Sequence, residues 1–361
     1  MPIGRLQTTG YFTEKTAPVT ENSIPIIDIA PFFAGDETDR QAVAVAIDNA
    51  CRETGFFAIV GHGVDEALMD RTRQMAVDFF ALPDAEKFRV ERPPQKVSRG
   101  YNKFKDRSLS YSLGIEAPPD LQEAFAFGPD EYSGTDWKEG DPRSAMLAPN
   151  RWPARPEDFR ETIIAFDHAM RALGERMLDI IAVALDVDRA YFADKFDHQS
   201  SVGRLIRYPA QQGRPLEGQL RAGAHTDYGT LTFLRGDPVP GGTEVRTRDG
   251  EWLEVQTPPG GFVCNIGDAL ARWTNDSWVS TLHRVGNPPA GADNVDRISL
   301  VYFHSPNHDA LIKCIPACVE EQGPKYPPIT FADHYLGKVM KAAHARLNAQ
   351  KEDADAATKQ A

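Results

Sequence analysis

Apolar and polar positions follow two rhythms along the chain. From residue 36 to residue 52, Val43, Ala46, Ile47 and Ala50 recur at the spacing of one helix face. That spacing returns from about Asp65 to Leu82, where Met69, Met75, Phe79 and Phe80 form the face to be buried. It returns again over Arg155–Leu185, where Phe159, Ile163, Phe166, Met170, Leu173, Met177 and Ile181 predict a long amphipathic helix. The runs SIPIIDIAPFF and GFFAIVGHGV read as strands. Between Glu91 and Pro153 the pattern weakens to Gly, Pro, Asp and Ser with short apolar clusters such as EAFAFG. Long ordered loops with short strands are expected there.

After His198 the rhythm shortens to that of strands: VGRLIRYPA, AHTDYGTLTFLRG, GTEVRTRDGEWLEV, GGFVCNIGDALARWT, STLHRVG and RISLVYFHSP. Six or more short strands separated by turn residues predict an antiparallel sandwich or barrel. Thr330 to Arg346 reads as a final helix, followed by a frayed charged tail. The expected organisation is a flexible segment 1–22, an α/β region with long loops over 23–198, a β core over 199–306, and a C-terminal helix and tail over 307–361. The fold class is α+β with a mainly β core.

Composition narrows the function. The chain has 361 residues, 41% apolar and 25% charged, enough for a large core without staples. A net charge of −12 is the opposite of a nucleic-acid footprint and points to a small-molecule partner. No run approaches the roughly 18 uncharged apolar residues of a spanning helix, and the opening MPIGRLQTTGYFTEK lacks the apolar core of a signal peptide. The four cysteines, Cys51, Cys264, Cys314 and Cys318, are scattered as in a reducing compartment, and no second pair follows Cys314 and Cys318 to complete a metal site. A cytoplasmic monomer or weak homo-oligomer is expected, with no membrane partner.

The fragment AHTDYGTLTFL carries the chemistry. Read as one strand, it puts His225 and Asp227 on the same face, two residues apart. A buried carboxylate needs compensation, and an imidazole with a carboxylate is a ligand pair for a divalent metal. His283, in STLHRVG, is the candidate third ligand from another strand. His-x-Asp alone is a common chance pattern, and His62, His168, His198, His304, His308, His334 and His344 have no such pairing. Two histidines and one carboxylate leave half an octahedral shell open, as in non-haem Fe(II) oxygenases. Downstream, Arg297 and Ser299 also share a strand face, and an inward arginine is costly unless it meets an anion. A 2-oxo acid co-substrate would fit both: one end on the metal, the far carboxylate on the arginine.

Together the His225-x-Asp227…His283 triad, the Arg297-x-Ser299 pair and the phrases GFFAIVGHGV, RYP, NIGDALARWTND and STLHRVGNPP resemble the isopenicillin N synthase-like branch of the 2-oxoglutarate/Fe(II) dioxygenases, from about Ile24 to Leu336. The resemblance implies a double-stranded β-helix, or jelly roll, with an N-terminal helical and mixed region packed around it. It implies Fe(II) on His225, Asp227 and His283, and the distal carboxylate of 2-oxoglutarate on Arg297, Ser299 and the hydroxyl of Tyr208. The implied reaction consumes O2 and 2-oxoglutarate, releases succinate and CO2, and hydroxylates or desaturates a small molecule. Isopenicillin N synthase itself keeps the Arg-x-Ser pair without using 2-oxoglutarate, so an oxidase of that kind is the alternative, and a non-catalytic ligand-binding jelly roll is a third.

Strand alternation extends the site. With Tyr208 inward, Ile206 and Arg204 face inward and Leu205 and Arg207 outward. Arg204 then either grips an acidic group of the substrate or sits in a rim salt bridge. Gly229, Leu231 and Phe233 would share the face of the ligand pair, as pocket or as core. Phe303 would be an apolar wall at the substrate. Tyr101, Phe104, Tyr111 and Phe125 of the irregular region are candidates for lid and specificity contacts.

Overall fold

The computed structural model describes residues 23–341 apart from 94–96, 107, 116, 133, 136 and 293. The expectations for the first 22 residues, for the last helix beyond 341 and for the tail lie outside the described residues. In chain order the elements are β1 (Ile26–Asp28), α1 (Ala30–Ala34), α2 (Glu37–Glu53), β2 (Phe56–Val60), α3 (Glu66–Phe80), α4 (Asp84–Phe88), β3 (Gly100–Asn102), β4 (Glu123–Phe127), α5 (Phe159–Ala184) and α6 (Ala193–Phe196). They are followed by β5 (Val202–Tyr208), β6 (Ala222–His225), β7 (Leu231–Gly236), β8 (Thr243–Arg246), β9 (Trp252–Val255), β10 (Phe262–Ile266), α7 (Asp268–Trp273), β11 (His283–Val285), β12 (Arg297–His304), β13 (Leu311–Ile312) and β14 (Ile329–Thr330). A C-terminal helix occupies residues 331–341.

Local chemistry explains the helix starts. Asp36 accepts the amides of Thr38 and Asp39, and the Asp39 carboxylate accepts the amide of Asp36, a reciprocal cap that opens α2. SIPIIDIAPFF is only partly a strand. Pro31 stands in the first turn of α1, where its missing N–H costs nothing, so the strand ends at Asp28 and APFF turns helical.

Two antiparallel sheets make the β core. The larger runs β1-β2-β10-β7-β12-β5-β4-β3 and the smaller β6-β11-β8-β9; only β1 and β2 pair in parallel. They pack face to face as a jelly roll, with Ile206, Tyr208 and Val301 of the large sheet against Ala222 and Val285 of the small one. The N-terminal segment does more than pack around this core. Its strands β1 and β2 extend one edge of the large sheet and β4 and β3 the other, so residues 24–127 complete a sheet that residues 199–306 begin.

The far face of the large sheet lies under α2, α3 and α5, and this second core is the larger one. Leu205, Leu231, Phe233, Cys264, Leu300 and Tyr302 all belong to it. Leu205 does point away from the inter-sheet space, yet it is fully buried, because helices rather than solvent cover that face. His304 at the end of β12 is enclosed in the same way. Its ring stacks on Phe196 at 4.8 Å, and neither ring nitrogen has a hydrogen-bond partner among the described residues.

Burial of the charged form pulls the pKa of His304 down to about 3. The unfolded chain therefore takes up a proton that the folded one refuses once the pH falls below the ordinary histidine value, and stability drops from about pH 6.5 downward. Over the two pH units below that point the loss from this one group is roughly 2 kcal/mol. His304→Leu should flatten the fall of folding free energy between pH 6.5 and 4.5, measured by urea unfolding. An unchanged slope would mean that His304 is protonated in the folded state.

Candidate metal centre and cavity

His225 ends β6 and His283 begins β11, and the two residues are direct partners across the ladder. Their rings lie 4.3 Å apart. Each Nδ1 faces a backbone carbonyl: Gly223 O at 2.8 Å for His225, Thr281 O at 3.1 Å for His283. A carbonyl only accepts, so each Nδ1 carries a proton and Nε2 is the nitrogen that presents a lone pair when the ring is neutral.

Asp227 does not continue the strand. It lies two residues past the end of β6, in the turn that carries the chain from the small sheet to the large one. Its Oδ1 is 3.8 Å from His225 Nε2 and 3.7 Å from His283 Nε2. Its Oδ2 accepts hydrogen bonds from Thr232 Oγ1 at 2.5 Å and Asn265 Nδ2 at 2.8 Å. Burial resists the charge on this carboxyl, but the attraction of His283 and His225 in their protonated form, with the Asn265 and Thr232 donors, outweighs it and holds its pKa below the usual carboxylate value. Three donor atoms thus converge within 4.8 Å of one another, and with both imidazoles neutral each offers a lone pair. The set fits a divalent metal of the borderline kind.

The turn bearing Asp227 is held by the start of α7. The amides of Gly267, Asp268 and Ala269 donate to the carbonyls of Thr230 (2.8 Å), Asp227 (2.8 Å) and Gly229 (3.1 Å). The approach is so close that a Cβ on Gly267 would lie 2.4 Å from the Gly229 carbonyl oxygen. Thr226, between the two ligand candidates, donates its hydroxyl to Asp268 at 3.1 Å.

Further along the inter-sheet space, Arg297 is buried and pairs in register with Tyr208. Its Nη1 reaches the backbone carbonyls of Asp237 and Val239, and its Nε has no partner among the described residues. A Cβ on Gly236 would lie 2.2 Å from the Arg297 guanidinium and 3.2 Å from the Ser299 hydroxyl. Burial lowers the pKa of Arg297 and pushes that of Tyr208 up to about 12. Arg221, buried beside them and bonded to the carbonyls of Pro240, Gly241 and Val295, adds a second cation that sequence reasoning missed. Carbonyls solvate a guanidinium without neutralising it, so this end of the interior favours an anion.

A cavity of about 310 Å³ runs from the triad to Tyr208 and Ser299; Arg297 and Arg221 lie beyond its lining. Arg204, Phe303 and Ser299 line it, as do Tyr208 and the triad. Leu231, Tyr101 and Phe125 do not. Alternation restarts at β7 after the turn, so Leu231 and Phe233 fall on the helix-covered face, while Thr232 and Leu234 face the cavity. Phe125 is fully buried beneath Phe79 and Phe159. Tyr101 packs beside it, donates to Glu123 at 2.5 Å and borders a separate hollow of about 840 Å³. Tyr228, Tyr335 and Val339 line the cavity without having been foreseen. A second group with metal-ligand spacing, Glu131, Asp167 and His168, is already served by a cation: Arg171 bonds Glu131 at 2.5 Å and Asp167 at 3.0 Å.

Comparison with known proteins agrees with this architecture. Residues 24–155 match the family described as the N-terminal region of non-haem dioxygenases in morphine synthesis, and residues 199–306 match the 2OG-Fe(II) oxygenase superfamily. The chain is 33% identical to a 2-oxoglutarate-Fe(II) type oxidoreductase of Emericella nidulans, over 91% of this chain and 93% of the relative. It is 33% identical to a homoarginine-6-hydroxylase of Oryza sativa, over 88% and 97% respectively. The crystal structure of a full-length Neurospora crassa protein in complex with alpha-KG (2-oxoglutarate) and thymine superposes with a TM-score of 0.77 at 30% identity, covering 91% of this chain and 99% of that one. The chain belongs to the 2OG-Fe(II) oxygenase superfamily. It is a dioxygenase that depends on Fe(II) and 2-oxoglutarate.

Asn265→Ala removes one of the two donors that turn Oδ1 of Asp227 toward the imidazoles. Fe(II) affinity, measured by anaerobic titration, should fall about 10- to 100-fold with the fold intact. Wild-type affinity would mean that this hydrogen bond does not orient the carboxylate.

Proposed function

We propose that His225, Asp227 and His283 hold the Fe(II), that Arg297, Ser299 and Tyr208 receive the distal carboxylate of 2-oxoglutarate, and that Arg204 and Phe303 meet the substrate. The observation that carries this reading is the convergence of three lone-pair atoms on one point. When bound, the metal with 2-oxoglutarate and O2 supplies the oxidising power, and succinate and CO2 are the co-products. The chain's own residues bind, orient and exclude water. Arg297 fixes the far end of the co-substrate, Thr232 and Asn265 aim the carboxylate ligand, and the apolar faces of Phe303 and Val301 keep the reacting end dry.

Charge in the cavity narrows the substrate. Among its described lining residues Asp227 is the sole carboxylate, and it is committed to the metal, whereas Arg204 and Arg92 are cations, Arg92 being paired with Asp106 at 2.8 Å. A cationic substrate would find no counter-charge. We therefore assign a small organic metabolite that is neutral and polar, or anionic, to be hydroxylated or desaturated. This separates the chain from relatives named for homoarginine and brings it nearer in charge to the neighbour that binds thymine. The protein is read as a cytoplasmic monomer or weak homo-oligomer without a nucleic-acid or membrane partner. The −12 charge speaks against a nucleic-acid partner, and no described helix is long and apolar enough to cross a membrane.

Succinate formation with Fe(II) and 2-oxoglutarate tests the reading. Thymine, simple carboxylic acids and homoarginine are the probes for stimulation. Homoarginine should give none; stimulation by it above the other probes would overturn the charge argument. Arg297→Ala should raise the 2-oxoglutarate concentration for half-maximal succinate formation by about tenfold or more, the loss expected for a buried charge-assisted pair. An unchanged requirement would remove Arg297 from the co-substrate site. Product formed without succinate would favour the isopenicillin N synthase type of oxidation.

A further inference from the structure

The C-terminal helix reaches back over the metal centre. Its first turn is anchored by the buried residues Phe331 and Ala332, whose amides donate to the carbonyls of Ala310 (2.9 Å) and His308 (2.7 Å). One turn on, the ring of Tyr335 meets that of Tyr228 edge-on at 5.8 Å, and Tyr228 directly follows Asp227 in the chain. Tyr335 and Val339, four residues apart and so on one helix face, both border the cavity that holds the triad.

Between them in sequence, Lys338 reaches Asp268. Its Nζ lies 2.7 Å from Oδ2 of Asp268, the same oxygen that accepts the Thr226 hydroxyl. The amide of Asp268 also donates to the carbonyl of Asp227. A single residue therefore binds the C-terminal helix, the residue between the two ligand candidates and the backbone of the carboxylate ligand. Seating the helix and setting the ligand turn share one anchor.

We infer that Tyr335 and Val339 form the wall of the cavity that shapes its substrate end, and that Lys338 is a positioning residue that seats this wall through Asp268. The inference rests on the reading of the cavity as the catalytic one. A helix in this place shields the metal from solvent, so its loosening is readable without knowing the substrate. The full chain is loaded anaerobically with Fe(II) and 2-oxoglutarate, the visible absorption of the chelate is recorded, and iron release to excess ferrozine is followed by stopped flow.

Lys338→Met and Tyr335→Ala should each release iron about fivefold faster or more, with the chelate absorption before release unchanged. Lys338→Arg, which can keep the ion pair, should stay at the wild-type rate. The double variant Asp268→Asn with Lys338→Met should be no faster than Asp268→Asn alone, because the two residues act as one unit. Lys325→Met, at the exposed pair with Asp276, should be indistinguishable from wild type. If Lys338→Met and Tyr335→Ala both release iron at the wild-type rate, the wall is overturned and the metal site stands. If the wild type shows no chelate absorption at all, the metal reading fails instead.

Discussion

A buried carboxylate with its two oxygens set to different tasks governs this structure. Oδ2 of Asp227 is satisfied by Thr232 and Asn265, and Oδ1 is left facing the lone pairs of two imidazoles. Such a cluster repels itself unless a cation sits among its atoms, since desolvating an ionised carboxylate costs several kcal/mol without compensation. Much of the architecture serves to hold it: β6 and β11 of the small sheet bring the histidines, β7 and β10 of the large sheet bring Thr232 and Asn265, and α7 grips the turn between.

The positive end of the interior complements this centre. Arg297 and Arg221 are solvated by main-chain carbonyls and carry their charge into the space between the sheets. A metal-binding end and, just past Tyr208 and Ser299 of the cavity wall, an anion-favouring end suit a co-substrate with a chelating head and a distal carboxylate. Gly236 is part of the same design, because the guanidinium fills the place where its side chain would be.

Strand alternation made much of this visible in the sequence. It puts Arg297, Ser299 and Phe303 on one face of β12 and Arg204 and Tyr208 on one face of β5, and the cavity lies along those faces. Alternation failed where the chain left one sheet for the other. AHTDYGTLTFL is a strand end, a turn and a new strand, so Leu231 and Phe233 lie across the sheet from the cavity. The irregular region misled for a related reason: Tyr101 and Phe125 belong to β3 and β4, the last two strands of the large sheet, and aromatic residues there pack under helices. Asn265, Thr232, Arg221 and the Lys338–Asp268 pair were out of reach, because each acquires its role from a partner that only tertiary folding supplies.

Anaerobic Fe(II) titration of the wild type and of Asp227→Ala tests the central claim most directly. The account predicts one ion bound per chain in the wild type and a loss of affinity of at least about 100-fold in a variant that remains folded, since both histidines are then left without their shared anionic partner. Equal affinity in the two proteins would show that the buried carboxylate is not there for a metal.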